Sequence, residues 1–246
     1  MKDLVYFNDI KDNFQHGRYG FSDFLGLSEV SDFHEFQREN PFLPCTLYGG
    51  TEDSERVMLR IGSEETLGYD QPFPISIIKI SPKNPRFSDE LTHRDFLGSV
   101  LGLGLERSVI GDILIEDNIA YLFCTETVAP FIISNLERIK HTTVNVEEIS
   151  EVPHLKSEEP KEIHVTVSSN RIDAIVAAVC HLSRNKAQEL FAAKRIYIDG
   201  RSCEDVKVPL KLGETVSVRG FGRIVLEKTE GRTKKNRLKL LLSVNS

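Results

Sequence analysis

The spacing of apolar residues along the chain predicts a mixture of helices and strands in three successive segments. In the first segment, residues 1–70, the apolar positions between 22 and 36 follow a loosely helical spacing. Residues 43–48 and 56–61 predict two strands on either side of a turn that contains a glycine pair. This pattern fits a small N-terminal α/β domain.

The second segment, residues 71–150, predicts six elements in the order β-α-β-β-α-β. Its first helix carries Phe96 and Val100 and stops near Gly102. The strands are expected at 75–80, 113–115, 119–123 and 142–146, and the second helix at 128–139. This order is the split βαβ arrangement of ferredoxin-like and RRM-like folds.

The third segment, residues 162–246, predicts a first strand, two helices and several short strands. The first helix repeats apolar residues at i, i+3, i+4 and i+7, and Ser183 is a good N-cap for the second. In the hairpin that follows, Asp199-Gly200 forms the turn, and Tyr197 points away from its two isoleucine neighbours.

The complete pattern predicts an α+β protein. A basic loop at 229–237 is expected to lead into the final strand. Runs rich in helix breakers or charges near 68–74 and 151–162 predict two linkers, and therefore three domains at 1–70, 71–150 and 162–246.

Composition narrows the class of protein. The chain has 246 residues, of which 40% are hydrophobic. Its longest apolar run, 128–133, is far shorter than the ~20 residues of a membrane span. Acids interrupt the N-terminus where a signal peptide needs an apolar core, so we expect a cytoplasmic protein without a membrane partner. The four cysteines lack the paired spacing of a zinc site, so no metal site and no cofactor are predicted.

Charge is divided unevenly along the chain. Residues 161–246 hold 17 Lys and Arg against 9 Asp and Glu, a balance of +8, whereas residues 1–160 hold 14 against 28, a balance of −14. A basic C-terminal third beside an acidic remainder indicates that the C-terminal part meets a polyanion. The acidic two-thirds are then expected to position the protein or to meet a protein partner.

The basic residues of the third segment form a predicted cluster. On a helical wheel Arg184, Gln188 and Arg195 fall within about 40° of each other, and Lys186 and Lys194 belong to the same helix or its end. Guanidinium groups on a rigid frame suit phosphate oxygens, which need charge and directed donors. The N–H groups at the start of the second helix are expected to add to this surface. The later loop contributes Arg232, Lys234, Lys235 and Arg237.

These residues carry a family resemblance. The stretch RIDAIVAAVCHLSRNKAQELFAAKRIYIDGRSCEDVKVPLKLGETVSV resembles the αL RNA-binding motif, named after small-subunit ribosomal protein S-four. The matching features are Arg171-Ile172-Asp173, Ser183-Arg184, Ala187, the basic turn before Ile196, Asp199-Gly200 and Gly213-Glu214. Members of this family usually have Asn-Gly and Gly-Asp at the two turns, and the changes found here keep the turn chemistry.

Other stretches are similar to the YlmH-like family of bacterial αL-motif proteins. They are SVRGFGR with the following GRTKKNR, LTHRDFLGSVLGLGLERSVIGDILI and LYGGTEDSERVML. The resemblance implies an RRM-like middle domain, a C-terminal S-four-type domain, and a cytoplasmic RNA-binding protein. It further implies association with the ribosome, through its large subunit and bound tRNA, in translation quality control.

The resemblance assigns an RNA-binding surface residue by residue: Arg171, Asp173, Ser183, Arg184, Asn185, Lys186, Gln188, Lys194, Arg195, Tyr197 and Arg201. Four of these have alternatives in their own right. Asp173 could be the N3 acid of a helix cap begun by Asn170, and Arg171 could pair with an acid. Ser183 is a cap whether or not it contacts phosphate, and Tyr197 could stack on a base or cover a face of the sheet.

Three further motifs resemble sites of known chemistry. His93-Arg94-Asp95 is similar to part of a kinase catalytic loop, but a capping box from Thr92 to Asp95 explains the spacing. Tyr121 and Phe123 alternate on a strand as stacking aromatics would, although core packing or a protein contact is favoured. Arg171-Ile172-Asp173 resembles the stretch that holds the catalytic aspartate of some pseudouridine synthases, without a synthase-sized domain around it.

The leading hypothesis is therefore a non-enzymatic protein that binds structured ribosomal RNA, tRNA or both, with no catalytic residues. The first alternative is an RNA-modifying enzyme, similar to a pseudouridine synthase, that uses the αL motif as an anchor. The second alternative is an adaptor connected with cell division whose basic domain is incidental.

Overall fold

The protein is α+β, and the computed structural model describes residues 4–153 and 160–245. The chain separates into two compact units, an N-terminal unit, Met1–Lys156, and a C-terminal unit, Ser157–Ser246. Within the described ranges, no helix is both long enough and apolar enough to cross a bilayer. The first two predicted segments share one compact unit, and the boundary between them stays a prediction.

The first part of the N-terminal unit is a three-stranded antiparallel sheet with helices on one face. Its elements are α1 (Leu4–Gln15), β1 (Gly20–Leu25), α2 (Leu27–Glu39), β2 (Cys45–Tyr48), β3 (Val57–Ile61) and the short α3 (Glu64–Leu67). The strand order is β1-β3-β2. Phe7 of α1 and Phe33 and Phe36 of α2 pack with Leu59 and Ile61 of β3 in one core cluster.

The helical prediction for 22–36 was wrong at its start. Residues 22–25 belong to β1, and Gly26 separates this strand from α2 in an extended conformation. Its N–H donates to Oε2 of Glu29 at 2.6 Å, which starts the helix at Leu27. Helix α1 was not predicted at all, because its buried positions are few and lie among the acids of the N-terminus.

The second part of the N-terminal unit has a five-stranded antiparallel sheet in the order β5-β6-β4-β8-β7. Its elements are β4 (Ile75–Pro82), α4 (His93–Leu101), β5 (Ile110–Glu116), β6 (Ile119–Thr125), α5 (Ala129–Asn135), β7 (Arg138–Ile139) and β8 (Thr142–Ile149). The order β-α-β-β-α-β is present, with β7 added before the last strand. Short 3₁₀ helices cover Pro85–Phe87 and Arg107–Val109.

The helix predicted for 128–139 ends early. Leu136 leaves the helical conformation, and β7 pairs with β8 through a turn in which Lys140 has φ 52°. The fully buried Ile139 thus reaches the core from a hairpin, although its spacing from Ile132 continues a helical repeat. The apolar pattern fits both structures, and only the pairing with β8 distinguishes them.

The two sheets of the N-terminal unit pack face to face. Phe24 of β1, Met58 of β3 and Phe123 of β6 form a buried cluster between them. Tyr121, beside Phe123 on β6, is also buried. The aromatic positions that could have stacked on bases are therefore core residues, as the favoured alternative holds.

Hydrogen bonds of Arg56 and Asp112 also connect the two parts of the N-terminal unit. The Arg56 side chain donates from Nε to the carbonyl of Ile110 at 2.9 Å and from Nη2 to the carbonyl of Phe24 at 2.8 Å. The Asp112 carboxylate accepts the backbone N–H groups of Glu55 at 2.6 Å and Arg56 at 3.2 Å. Burial, together with the nearby Arg56, lowers the pKa of Arg107 in this group to about 10. The basic side chains here serve the internal structure.

The C-terminal unit is a six-stranded antiparallel sheet in the order β11-β10-β12-β13-β14-β9, with two helices. Its elements are β9 (Lys161–Val167), α6 (Ile172–Val179), α7 (Arg184–Ala192), β10 (Ile196–Ile198), β11 (Arg201–Ser202), β12 (Thr215–Val218), β13 (Gly222–Arg232) and β14 (Leu238–Asn245). Apolar residues of both helices share one core cluster with the sheet. The basic loop predicted for 229–237 is shorter than expected, since β13 continues to Arg232.

Phe123 provides a test of the packing between the two sheets. Because this ring has an exposed fraction of 0%, Phe123→Ala should lower the free energy of unfolding of the N-terminal unit by about 3–5 kcal/mol. Urea denaturation of the full chain measures the change. Phe87→Ala is the control, because that ring is 85% exposed and its loss should change the free energy by less than about 0.5 kcal/mol. Equal effects of the two variants would contradict the packing described.

Candidate nucleic-acid interface

The frame of the candidate interface is the pair of helices α6 and α7. Each helix buries an apolar stripe, with Ile172, Ile175 and Val176 on α6 and Ala187 and Phe191 among those on α7. Both stripes belong to the core cluster of the C-terminal unit. The polar sides of the two helices are thus held by a packed core, which limits their movement.

The start of α7 is capped as predicted. Ser183 Oγ accepts the backbone N–H of Lys186 at 3.3 Å. The first turn of the helix exposes Arg184, Asn185 and Lys186. Since the cap occupies the N–H of Lys186, the contribution of this helix end to anion binding lies in its exposed side chains and remaining N–H groups.

Asp173 is the centre of the site, and it is completely buried, with an exposed fraction of 0%. Arg171 binds its carboxylate at two points, Nε to Oδ1 at 3.1 Å and Nη2 to Oδ2 at 3.0 Å. Arg184 donates from Nε to Oδ2 at 3.1 Å, and Gln188 from Nε2 to the same oxygen at 3.4 Å. One carboxylate therefore joins the start of α6 to the first half of α7.

The electrostatics of this group favour a charged Asp173. Burial raises the pKa of the carboxyl, but the hydrogen bonds from Arg184, Arg171 and Gln188 outweigh it, so the pKa lies below its ordinary value. The side chains of Arg171 and Arg184 remain 31% and 51% exposed. In the described contacts Arg184 uses only Nε to bind Asp173, so its two Nη groups remain available to other acceptors.

This geometry corrects the prediction for Asp173. The carboxylate is fully buried and therefore not accessible to a ligand as it is placed here, and it is not the N3 acid of a cap begun by Asn170, because Arg171 is the N-cap of α6. The alternative for Arg171, pairing with an acid, is confirmed. Asp173 is thus a positioning residue for the two arginines. We name the exposed and half-buried polar side chains at the start of the two helices the α6–α7 surface: Arg171, Arg184, Asn185, Lys186 and Gln188.

The predicted place of Arg195 on the helical wheel was wrong. Helix α7 ends at Ala192, and Lys194 takes a left-handed backbone conformation with φ 52°, so Arg195 lies outside the helix. Its Nη2 donates to the carbonyl of Arg219 at 2.6 Å, and its own carbonyl accepts the N–H of Arg219 at 2.9 Å. Lys194 forms an ion pair with Glu204 at 3.1 Å. Arg195 and Arg219 therefore form a second cationic group beyond the C-terminal end of α7. Arg219 is not among the predicted residues, because no helical spacing marks it.

The hairpin after α7 places two further predicted residues. Tyr197 has an exposed fraction of 2%, and its hydroxyl donates to the carbonyl of Lys194 at 3.0 Å. This contradicts base stacking in the present structure and supports the alternative that the ring covers the sheet. Arg201 is exposed, next to a turn in which Asp199 and Gly200 both have positive φ. In the described ranges, no group of three or more His, Cys, Asp or Glu side chains is arranged to hold a metal ion.

Asp173→Asn tests the positioning role through stability. The variant keeps the size of the side chain and removes its charge, so the hydrogen bonds from the two guanidinium groups are weakened or lost. We expect the free energy of unfolding of the C-terminal unit to fall by about 2 kcal/mol. Hydrogen exchange of α6 and α7 in increasing urea measures this change. Glu189→Gln, an exposed acid on α7, should change it by less than about 0.5 kcal/mol.

The same carboxylate predicts a dependence of stability on pH. A carboxyl whose pKa is lowered by folding contributes stability above its ordinary pKa of 3.8 and loses it as the pH falls through the lowered value. The difference in stability between the wild type and Asp173→Asn should therefore be constant above about pH 5 and shrink below pH 3.8. A difference that grows on acidification would contradict this assignment.

Comparisons with known proteins cover both units. A family model described as the putative RNA-binding domain in YlmH matches residues 69–152. A Bacillus subtilis (strain 168) protein, ribosome-associated protein quality control protein P2, is 32% identical over 196 residues, covering 77% of this chain and 73% of that protein. The solved structure of cell division protein ylmH from Streptococcus pneumoniae matches 61% of this chain and 92% of that chain, with 21% identity and a TM-score of 0.48.

The family model matches a segment for which charge predicts no RNA contact. Residues 69–152 hold 7 Lys and Arg against 13 Asp and Glu, and the aromatic side chains of β6 are buried. The basic α6–α7 surface lies outside this match, in the C-terminal unit. The identity to the Bacillus protein extends over most of both sequences. Identity of this level and length shows common descent, and the chain belongs to the YlmH-like family of RNA-binding proteins.

Proposed function

We propose that this protein is a non-enzymatic factor that docks on structured ribosomal RNA, tRNA or both through the α6–α7 surface. The observation that carries the proposal is the fixing of Arg171 and Arg184 by one buried carboxylate beside the exposed start of α7. Guanidinium groups held in this way need little further ordering when they bind phosphate oxygens, so less entropy is lost on binding.

The Bacillus relative indicates where in the cell this protein acts. That protein is described as ribosome-associated and as a protein quality control factor. We infer that the present chain acts in the cytoplasm on the ribosome, at its large subunit and near bound tRNA, in translation quality control. RNA in this setting is folded, and a rigid cationic surface recognises its shape and backbone more than its sequence.

The N-terminal unit takes a different role in this proposal. Residues 1–156 hold 14 Lys and Arg against 26 Asp and Glu, a balance of −12 that repels an RNA backbone at long range. We propose that it meets a protein partner or positions the protein on its target. The contrast between the charges of the two units supports this division of labour.

A charge-reversal variant tests the RNA contact. Arg184→Glu with Lys186→Glu should abolish binding of the full chain to ribosomal RNA and tRNA in gel-shift experiments, because it places two acids at the centre of the surface. Arg18→Glu with Arg38→Glu makes the same change in charge on exposed residues of the N-terminal unit and should leave binding within about twofold. Equal binding by the first variant and the wild type would exclude the α6–α7 surface.

The dependence on salt gives an independent measurement. If five to eight phosphates are neutralised, affinity should fall by roughly a thousandfold between 50 and 200 mM salt. The C-terminal unit alone, residues 157–246, should keep most of the affinity of the full chain. Complete loss of binding on removal of the N-terminal unit would instead assign the main RNA contact to the segment that the family model matches.

A further inference from the structure

The β13–β14 hairpin carries the densest positive charge of the C-terminal unit. Residues 228–239 contain six Lys and Arg and a single acid, a balance of +5, which is more than half of the +8 carried by residues 161–246. That acid, Glu230, pairs with His164 at 3.0 Å. The positive charge of this hairpin is thus largely uncompensated within the hairpin itself.

The turn of the hairpin has a defined geometry. Asn236 donates its N–H to the carbonyl of Thr233 at 2.8 Å and takes a left-handed conformation with φ 58°. The N–H of Arg237 bonds to Thr233 Oγ1 at 3.1 Å. Lys234 and Lys235 are therefore the two central residues of a turn followed by a left-handed residue, a common three-residue hairpin connection. We name residues 232–237 the hairpin tip.

The side chains of the two arginines of the tip form hydrogen bonds within the unit, whereas those of its two lysines form none among the described residues. Arg232 donates from Nη1 to the carbonyl of Asn236 at 3.0 Å, and Arg237 donates from Nη2 to the carbonyl of Thr166 at 2.8 Å. In the described part of the chain, neither Lys234 nor Lys235 forms a side-chain hydrogen bond or ion pair, and both are exposed. The tip thus presents two exposed ammonium groups on a turn that is held by hydrogen bonds.

The hairpin tip is a place distinct from the cationic group around Arg195. That group lies at the Gly222 end of β13, where β12 and β13 meet, and the tip lies at the Arg232 end. Eleven residues of strand separate the ends by about 30 Å. The tip is closer to the start of α6, because only four residues lead from Val167, which pairs with Leu238, to Arg171. Those four residues span at most about 15 Å.

We propose that the hairpin tip is a second RNA-phosphate contact, so that the C-terminal unit holds one structured RNA at two separate places. This inference rests on the proposed function and adds a contact that the αL resemblance does not cover. Two flexible ammonium groups suit a backbone position where charge is needed and geometry is loose, while the fixed arginines of the α6–α7 surface supply directed donors. The two contacts together would set the orientation of the RNA on the unit.

Positive charge near an open sheet edge can also protect that edge from pairing with a second chain. Within the described residues β12 pairs with β13 only as far as Val225, so the later part of β13 is an open sheet edge. Lysines on such an edge hinder pairing with a second chain. If this were their whole role, neutral variants would self-associate and still bind RNA as the wild type does.

The test compares three full-length double variants for binding to large-subunit ribosomal RNA. They are Lys234→Gln with Lys235→Gln in the tip, Arg184→Gln with Lys186→Gln in the α6–α7 surface, and Arg18→Gln with Arg38→Gln as the matched control. We expect the tip variant to raise the Kd at least about fivefold and to reduce the slope of log K against log salt by about 2. Thermal melting should be unchanged, because the two lysines have no partners to lose.

Hydroxyl-radical footprinting of the same complexes separates the two contacts. The tip variant should lose protection in one RNA segment and keep it in another, and the α6–α7 variant should show the reverse. An unchanged Kd, slope and footprint for the tip variant overturns the inference, and self-association seen by ultracentrifugation would then show edge protection. The proposed function fails separately, if the α6–α7 variant binds like the wild type or if the wild type binds no RNA.

Discussion

The buried ion pairs of Asp173 are the interaction on which the candidate interface depends. A carboxylate without exposure to water is costly unless charged and hydrogen-bonding partners surround it, and Arg171, Arg184 and Gln188 supply them. Removal of any one partner leaves the others with an incompletely neutralised charge. The two guanidinium groups are therefore held in one arrangement while their outer parts stay accessible to a ligand. An interior requirement of the fold thus sets the geometry of the proposed binding surface.

In the N-terminal unit, by contrast, the residues that could contact RNA lie inside the structure. Strand order and helix placement give its five-stranded sheet one face free of helices, and the three-stranded sheet occupies that face through Phe24, Met58 and Phe123. The half-buried Arg56 and Arg107 also serve the internal structure, since their guanidinium groups bond to backbone carbonyls inside the unit. Aromatic and basic side chains are the residue types that commonly recognise RNA. In this unit they pack in the core or form internal hydrogen bonds.

The two units divide the charge of the chain between them. An excess of acids over most of the sequence would weaken binding to RNA if it were spread over the contact surface, because like charges repel within a Debye length of about 8–10 Å. Concentration of the basic residues in one compact unit avoids this. Within that unit the cations differ further, since some are fixed by hydrogen bonds and others, at the hairpin tip, are not. In the proposed function, this difference provides both directed and loose contacts to a phosphate backbone.

The sequence by itself determined the local features whose causes are local. The strand pattern of residues 71–150, the cap at Ser183 and the Asp199-Gly200 turn all follow from spacing and turn chemistry over a few residues. The basic character of the C-terminal unit follows from composition alone. Tertiary structure decided which of the marked residues are exposed. Asp173 and Tyr197 are buried, Arg195 leaves its helix for a contact with Arg219, and Ile139 enters the core from a strand because β8 pairs with it. Burial depends on how the elements of a unit pack together, and pairing depends on the partner strand, so the apolar spacing within a single element reveals neither.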